Sequence, residues 1–271
     1  MELARLRLRG AYGIAAALLL IVIIPAYQSV MYGQDYLTAI QAIAQHGAFG
    51  PYLLWLGQNA GVNLIARTLQ IAAYLLAASL VGPLVRALWP DWLVPQARRL
   101  AAPAQIVGWV GFGVFALTLL VEAIASVNIA NAYRGAGATQ RAALATQFAG
   151  TYVLGTIFAQ VIGGALIVIF LGLVCARMVT TRAFPRWLPY LGALVMILLA
   201  ANAVLFAFAL TQVSTFVTTP ATAGLALWLA GLGVLLMRLR ALPLAPAGEP
   251  VEPNEPEAAQ EAQKPGSAST E

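Results

Sequence analysis

Charge is what this chain has least of. Asp, Glu, Lys and Arg make up 9% of its 271 residues, against 61% hydrophobic residues. Soluble domains carry about 25% charged residues. A soluble fold of this size could not keep so little charge on its surface, so lipid must solvate much of it. Mean hydropathy is +0.82. Cysteine and histidine are nearly missing: Cys175 and His46 each stand alone. One Cys excludes an intramolecular disulfide and any Cys-based metal cluster. One His excludes bis-His haem ligation and His-rich di-iron sites within one chain. The single lysine, Lys264, lies outside every apolar stretch, which excludes a retinal Schiff base of the usual kind. No segment matches a P-loop, an H-E-x-x-H helix, a Cys-x-x-Cys pair or a G-x-S-x-G elbow. These absences lead us to expect no enzymatic machinery, no cofactor and no metal.

The little charge present is segregated. Residues 1–248 hold 14 basic and 4 acidic side chains, while the stretch from Glu249 onward holds six Glu and one Lys. The sequence pI near 9.7 therefore describes the apolar body. It does not point to nucleic acid, because the arginines are spread over short loops without a patch or recognition motif. Arg outnumbers Lys fourteen to one and Ala is abundant, a composition that fits a GC-rich bacterial genome.

A membrane-spanning helix needs about 20 apolar residues. Six segments qualify, at about 11–32, 64–88, 104–127, 150–175, 188–211 and 220–239. The first follows the basic stretch MELARLRLRG, so a cleaved signal peptide is the alternative there. Its length and the lack of a clean A-x-A site count against cleavage. Basic residues mark the cytoplasmic side. With the N-terminus inside, Arg5, Arg7, Arg9, Arg86, Arg98, Arg99, Arg177, Arg182, Arg186, Arg238, Arg240 and Lys264 are cytoplasmic, and only Arg67, Arg134 and Arg141 lie at or near the outer face. Both termini are then cytoplasmic. Trp89, Trp92 and Trp187 sit beside inner arginines, where an interfacial aromatic belt would place them.

Two outer segments carry helical spacing without the length to cross. Residues 35–49 bring Leu37, Ile40, Ala44 and Phe49 near one face, and residues 131–149 do the same with Ala142, Leu144 and Phe148. We expect two short amphipathic helices on the outer face, with mobile polar loops as the alternative. The fold expected is thus an all-α six-helix transmembrane bundle over 1–242, followed by an acidic Pro/Glu/Ala tail at 243–271. After Val251 the tail has almost no bulky apolar residues, so it should be disordered.

An internal echo joins the inner ends of helices two and four. RALWPDWLVP at 86–95 resembles RAFPRWLP at 182–189, and Ser29, Val30 and Tyr36 match Ser126, Val127 and Tyr133 at an offset of 97. Either the hairpins derive from one unit, or topology and helix-stop rules impose the same residues twice.

Glu122 is the one acidic residue inside a membrane-length segment. A carboxylate in hydrocarbon usually faces protein and has a partner. On a helical projection it shares a stripe with Gly108, Gly111, Thr118 and Ser126, and helix two offers Asn63, Arg67, Gln70, Tyr74 and Ala78. Arg67 and Glu122 lie at matching depths, so a Glu122–Arg67 ion pair is expected. The alternative is a snorkelling Arg67 with Glu122 protonated or wetted. Gln160 on helix four and Asn202 on helix five complete the candidate polar set of Glu122, Arg67, Gln70, Tyr74, Gln160 and Asn202. Intramembrane amides more often glue helices than bind ligands. Cys175 is expected to be buried and inert.

The strings NAYRGAGATQRAALATQFAGTYVLGTIF, FPRWLPYLGALVMIL and GLALWLAGLGVLL resemble a bacterial polytopic family, domain-of-unknown-function family 4386. The likeness covers about residues 60–240. It implies a six-helix membrane protein with a Pro-Arg-Trp-Leu turn opening helix five, and it brings no catalytic residues to carry over. Two functions fit this reading. One is a non-enzymatic binding, scaffold or partner-subunit role in the cytoplasmic membrane, with the lipid bilayer and a membrane protein or a second copy as partners. The other is a small-molecule transporter or sensor with a polar pocket between helices 2 to 5 near Glu122.

Overall fold

A computed structural model describes residues 2–89, 95–181, 184–208 and 211–238. The expected tail at 243–271 lies outside the described residues, as does Trp92. The described chain is helical, with no strand among its residues. It runs as α1 (Glu2–Leu18), a π-helical turn (Leu19–Ile23), α2 (Ile24–Met31), α3 (Gly33–His46), α4 (Gly50–Gln58), α5 (Ala60–Leu88) and α6 (Pro95–Gly135). It continues through α7 (Ala138–Thr156), a second π-helical turn (Ile157–Gly163), α8 (Gly164–Thr181), α9 (Trp187–Ala207) and α10 (Thr211–Arg238). Six helical stretches are long and apolar enough to cross a membrane: Arg7–Met31, Ala60–Leu88, Arg99–Gly135, Ala138–Thr181, Trp187–Ala207 and Val217–Arg238.

The spans form a ring in chain order. Each packs on the next, and α1 closes the ring against α10. Ring closure rests on glycine. A Cβ placed on Gly10 would lie 2.6 Å from the Gly233 carbonyl oxygen, and one on Gly233 would lie 2.5 Å from the Gly10 carbonyl oxygen. Only hydrogen at these two positions lets the backbones touch, as in small-residue crossings of membrane helices. Inside the ring, Leu80, Leu84, Phe112, Ile167, Phe170, Leu171, Leu188 and Trp228 fill the centre. Outward, Ile106, Leu117, Ile124, Leu194 and Ile197 are exposed, as lipid-facing side chains would be.

Span number and order match the sequence expectation, but the ends do not. The third and fourth spans are longer than expected, and they absorb the outer segment 131–149. No separate short helix exists there: residues 131–135 finish α6 and residues 138–149 begin α7, with a tight turn at Ala136 and Gly137. Apolar length alone marks where lipid begins, whereas a helix continues for as long as its hydrogen bonds and neighbours allow. The other outer segment does hold a separate helix, α3, and α4 follows it. The sequence reading missed α4, which buries Tyr52, Leu53, Trp55, Leu56 and Gly57. The echo at offset 97 does not map to equivalent elements either. Tyr36 lies in α3 beyond a bend at Tyr32, while Tyr133 lies within α6.

Three arginines that serve as topology markers in the sequence have a second use. Arg177 Nε donates to the Leu88 carbonyl at 3.1 Å, and its guanidinium lies 5.8 Å over the Trp89 ring. Arg134 Nη1 donates to the Gly57 carbonyl at 3.0 Å. Arg141 Nε donates to Tyr133 O at 3.2 Å and its Nη2 to Arg134 O at 3.3 Å. Each cation sits at the C-terminus of a helix, respectively α5, α4 and α6, where carbonyls lack intrahelical partners and the dipole is negative.

Candidate functional site

The buried apolar side chains divide into two clusters. The larger fills the ring, and the smaller lies at the end formed by α3, α4 and the α6–α7 turn, here termed the cap end. It gathers Tyr32, Ala39, Tyr52, Leu53, Trp55, Leu56, Ala66, Ile129, Ala130 and Phe148. Three of the candidate polar residues, Arg67, Gln70 and Glu122, fall at the level between the two. On α5, Ala66 belongs to the cap cluster and Ala73 to the ring core, so Arg67 and Gln70 lie between. On α6, Glu122 lies between Phe115 of the ring core and Ile129 of the cap.

The ion pair forms as the depths of its partners require. Arg67 Nη2 donates to Glu122 Oε1 at 3.1 Å, with side-chain exposures of 22% and 13%. Arg67 Nη1 donates to Gln70 Oε1 at 3.2 Å. Gly155 of α7 faces Glu122 and Thr118, where a Cβ would make ordinary van der Waals contact with both. The glycines further down the Glu122 stripe behave as expected of small residues. Gly108 accepts Phe170 and Val81, and Gly111 accepts Ile167 of α8.

Gln160 and Asn202 belong to a different group. Asn202 is 1% exposed. Its Nδ2 donates to Gln160 Oε1 at 2.9 Å, and its Oδ1 accepts from Thr218 Oγ1 at 2.7 Å. Three spans are tied by one amide. Gln160 lies in the second π-helical turn, while Gly163 of the same turn faces Phe115 of α6. The wider turn thus lets Gln160 address α9 while its glycine addresses α6. Tyr74 joins neither group and stacks on Phe115 at 4.8 Å between ring centroids. The six candidates are therefore a triad, a separate amide bridge and an aromatic stack. Thr218 was missed because the apolar run of helix six starts at Pro220, whereas α10 starts at Thr211 with Pro220 inside it.

Aromatic rings roof the ion pair. Tyr36 packs on Tyr32 at 4.4 Å and on Trp55 at 4.8 Å, Tyr52 stacks on Trp55 at 6.0 Å, and Phe148 meets Tyr52 at 5.6 Å. Trp55 Nε1 donates to the Tyr32 carbonyl at 3.3 Å, and the Tyr32 hydroxyl donates to Asn63 Oδ1 at 3.4 Å. Burial pushes the Tyr36 phenol up to about 12, with the neighbouring Tyr32 adding to the rise and the Arg67 charge opposing it. Burial also raises Tyr52, again against Arg67, with Tyr36 and Glu122 contributing. These phenols sit within the field of the ion pair and stay neutral there.

A surface cleft of about 310 Å³ opens at the α2–α3 bend, lined by Gln28, Ser29, Tyr32, Gly33, Gln34, Tyr36 and Leu37. It contains none of the six candidates, though Tyr32 and Tyr36 are walls of both cleft and roof. Among the described residues no group of three or more His, Cys, Asp or Glu could hold a metal ion. Cys175 is buried, at the place where Gly192 meets Trp228.

Six apolar spans closed into a ring, with polar side chains paired in its interior, define a multi-pass helical membrane protein. Compared with family models, curated proteins and solved structures, the chain matches none.

Proposed function

We propose that this is a six-span protein of the bacterial cytoplasmic membrane that works by binding, as a scaffold or partner subunit, without catalysis. One observation carries the reading. Six polar side chains within its spans answer one another: Arg67 with Glu122 and Gln70, and Asn202 with Gln160 and Thr218. Polar side chains spent on each other act as glue between helices, which leaves the outer faces to meet lipid, a partner or a second copy. Both termini are assigned to the cytoplasm on the arginine bias. α3 is assigned to the outer surface, because Leu37 and Ile40 are exposed on it together with Gln34, Asp35, Gln41 and Gln45. The resemblance of three strings to domain-of-unknown-function family 4386 is the ground for proposing a place beside that family.

Mass measurement of the protein in membrane patches extracted without detergent tests the role. A complex of fixed stoichiometry is expected. A monomer at every membrane density would overturn the reading. Topology is tested by reporters fused after Glu249, where an external signal would refute the assigned orientation. The second reading, a small-molecule transporter or sensor near Glu122, draws on the polar level between two apolar clusters. It gains if the monomer in proteoliposomes passes small solutes and Glu122→Gln abolishes the flux.

A further inference from the structure

We propose that α3 is a hinged lid whose lifting widens the access of water from the cap end to the partly exposed Arg67–Glu122 pair. The backbone marks both hinges. Gly33 has φ +68° and Gly47 has φ +62°, and they are the positive-φ glycines among the described residues. They bracket α3. A Cβ at either would meet nothing within 4 Å, so glycine is present there for its left-handed conformation and not for close packing. The helix between them is lightly held. Of its described side chains, Ala39 at 2% exposure is the one fully buried, and the helix packs chiefly on α4.

The next helix is anchored differently. α4 buries five of its nine residues, packs on α6 and is capped by Arg134. A segment with little buried apolar surface opens at a small fraction of the global unfolding free energy, so α3 should lift while α4 stays. What holds it shut is an aromatic clasp. Trp55 of α4 contacts the rings of Tyr32 and Tyr36, and its indole N–H binds the Tyr32 carbonyl next to the Gly33 hinge. Tyr32 in turn bonds Asn63, one turn from Arg67 on α5. Lifting α3 pulls Tyr36 off Trp55 and Tyr52 and thins the roof over the ion pair. The cleft at the α2–α3 bend lies at this hinge, with Gly33 and Tyr36 in its lining.

The test is aqueous thiol labelling of the full chain in lipid nanodiscs, in a Cys175→Ala background. Single cysteines replace Ala39 on the lid, Ala66 beneath the cap and Ala77 in the ring core, all three at 2% exposure or less. A charged, membrane-impermeant thiol reagent should label Ala39→Cys and Ala66→Cys slowly and at similar rates, and leave Ala77→Cys unreacted. Adding Trp55→Ala removes three ring contacts, to Tyr32, Tyr36 and Tyr52, and a hydrogen bond, and should speed the first two by roughly tenfold or more. Ala77→Cys should stay protected, which separates lid opening from unfolding. Labelling of Ala39→Cys without Ala66→Cys would overturn the proposal, because the lid would then lift without opening the pair. Rates unmoved by Trp55→Ala, or speeding at all three positions together, would overturn it as well.

Discussion

Arg67 and Glu122 meet at 3.1 Å across the α5–α6 crossing, 55 residues apart in the chain. Each neutralises a charge that the apolar surroundings could not otherwise hold. Removing one partner leaves the other charged and unpaired, which costs about 3–5 kcal/mol in a fully desolvated pair. Partial exposure of both side chains lowers the expected loss to roughly 1–3 kcal/mol for Glu122→Gln. Reversible unfolding in mixed micelles should show this loss, and the double change with Arg67→Gln should recover part of it. A double variant no better than the worse single one would show that the pair is not coupled.

Asn202 links Gln160 and Thr218, so its loss should exceed that of either neighbour. Asn202→Ala removes both bonds, and is expected to cost about 1–2 kcal/mol. Thr218→Val removes the bond to Asn202, a loss of about 0.6 kcal/mol. The same unfolding assay ranks the two.

The glycines separate into those that space forbids changing and those that it does not. Gly10→Leu or Gly233→Leu would force the α1–α10 backbones apart, with a loss of roughly 1–3 kcal/mol or more. Gly113 on α6 has nothing within 4 Å of a Cβ. Gly113→Ala should therefore stabilise by about 0.5–1 kcal/mol, since alanine restricts the unfolded chain and favours helix. Equal effects at Gly10 and Gly113 would argue against ring closure between the first and last spans.

Tyr36 gives the cap a pH signature. Its folded-state value, near 12, is raised above the ordinary 10.0. A raised value means that its contribution to stability is complete below pH 10 and is lost as pH climbs toward 12. Tyrosinate absorbance from this residue, identified by difference from Tyr36→Phe, should rise only at the top of that window. An ordinary titration near pH 10 would mean that the roof is open to water.

The sequence by itself determined the solvent, the number of spans and one contact. Charge at 9% and six apolar runs require lipid, because burying unpaired charge or exposing that much apolar surface to water is too costly for any other arrangement. The Arg67–Glu122 pair was legible for the same reason: two charges at one depth in hydrocarbon leave few other solutions. Tertiary structure decided the rest. That Gln160 reaches Asn202 depends on a π-helical turn, and Thr218 completes the bridge only because α10 begins before Pro220. α4 was invisible because GPYLLWLGQ is apolar nearly throughout and too short to cross a membrane, so it shows no amphipathic periodicity, and only a partner surface buries five of its residues. Arg134, Arg141 and Arg177 read as topology markers, yet which helix end each one caps depends on which ends the ring brings together. Composition and depth are properties of a residue and its solvent, whereas partners across helices are properties of the packing.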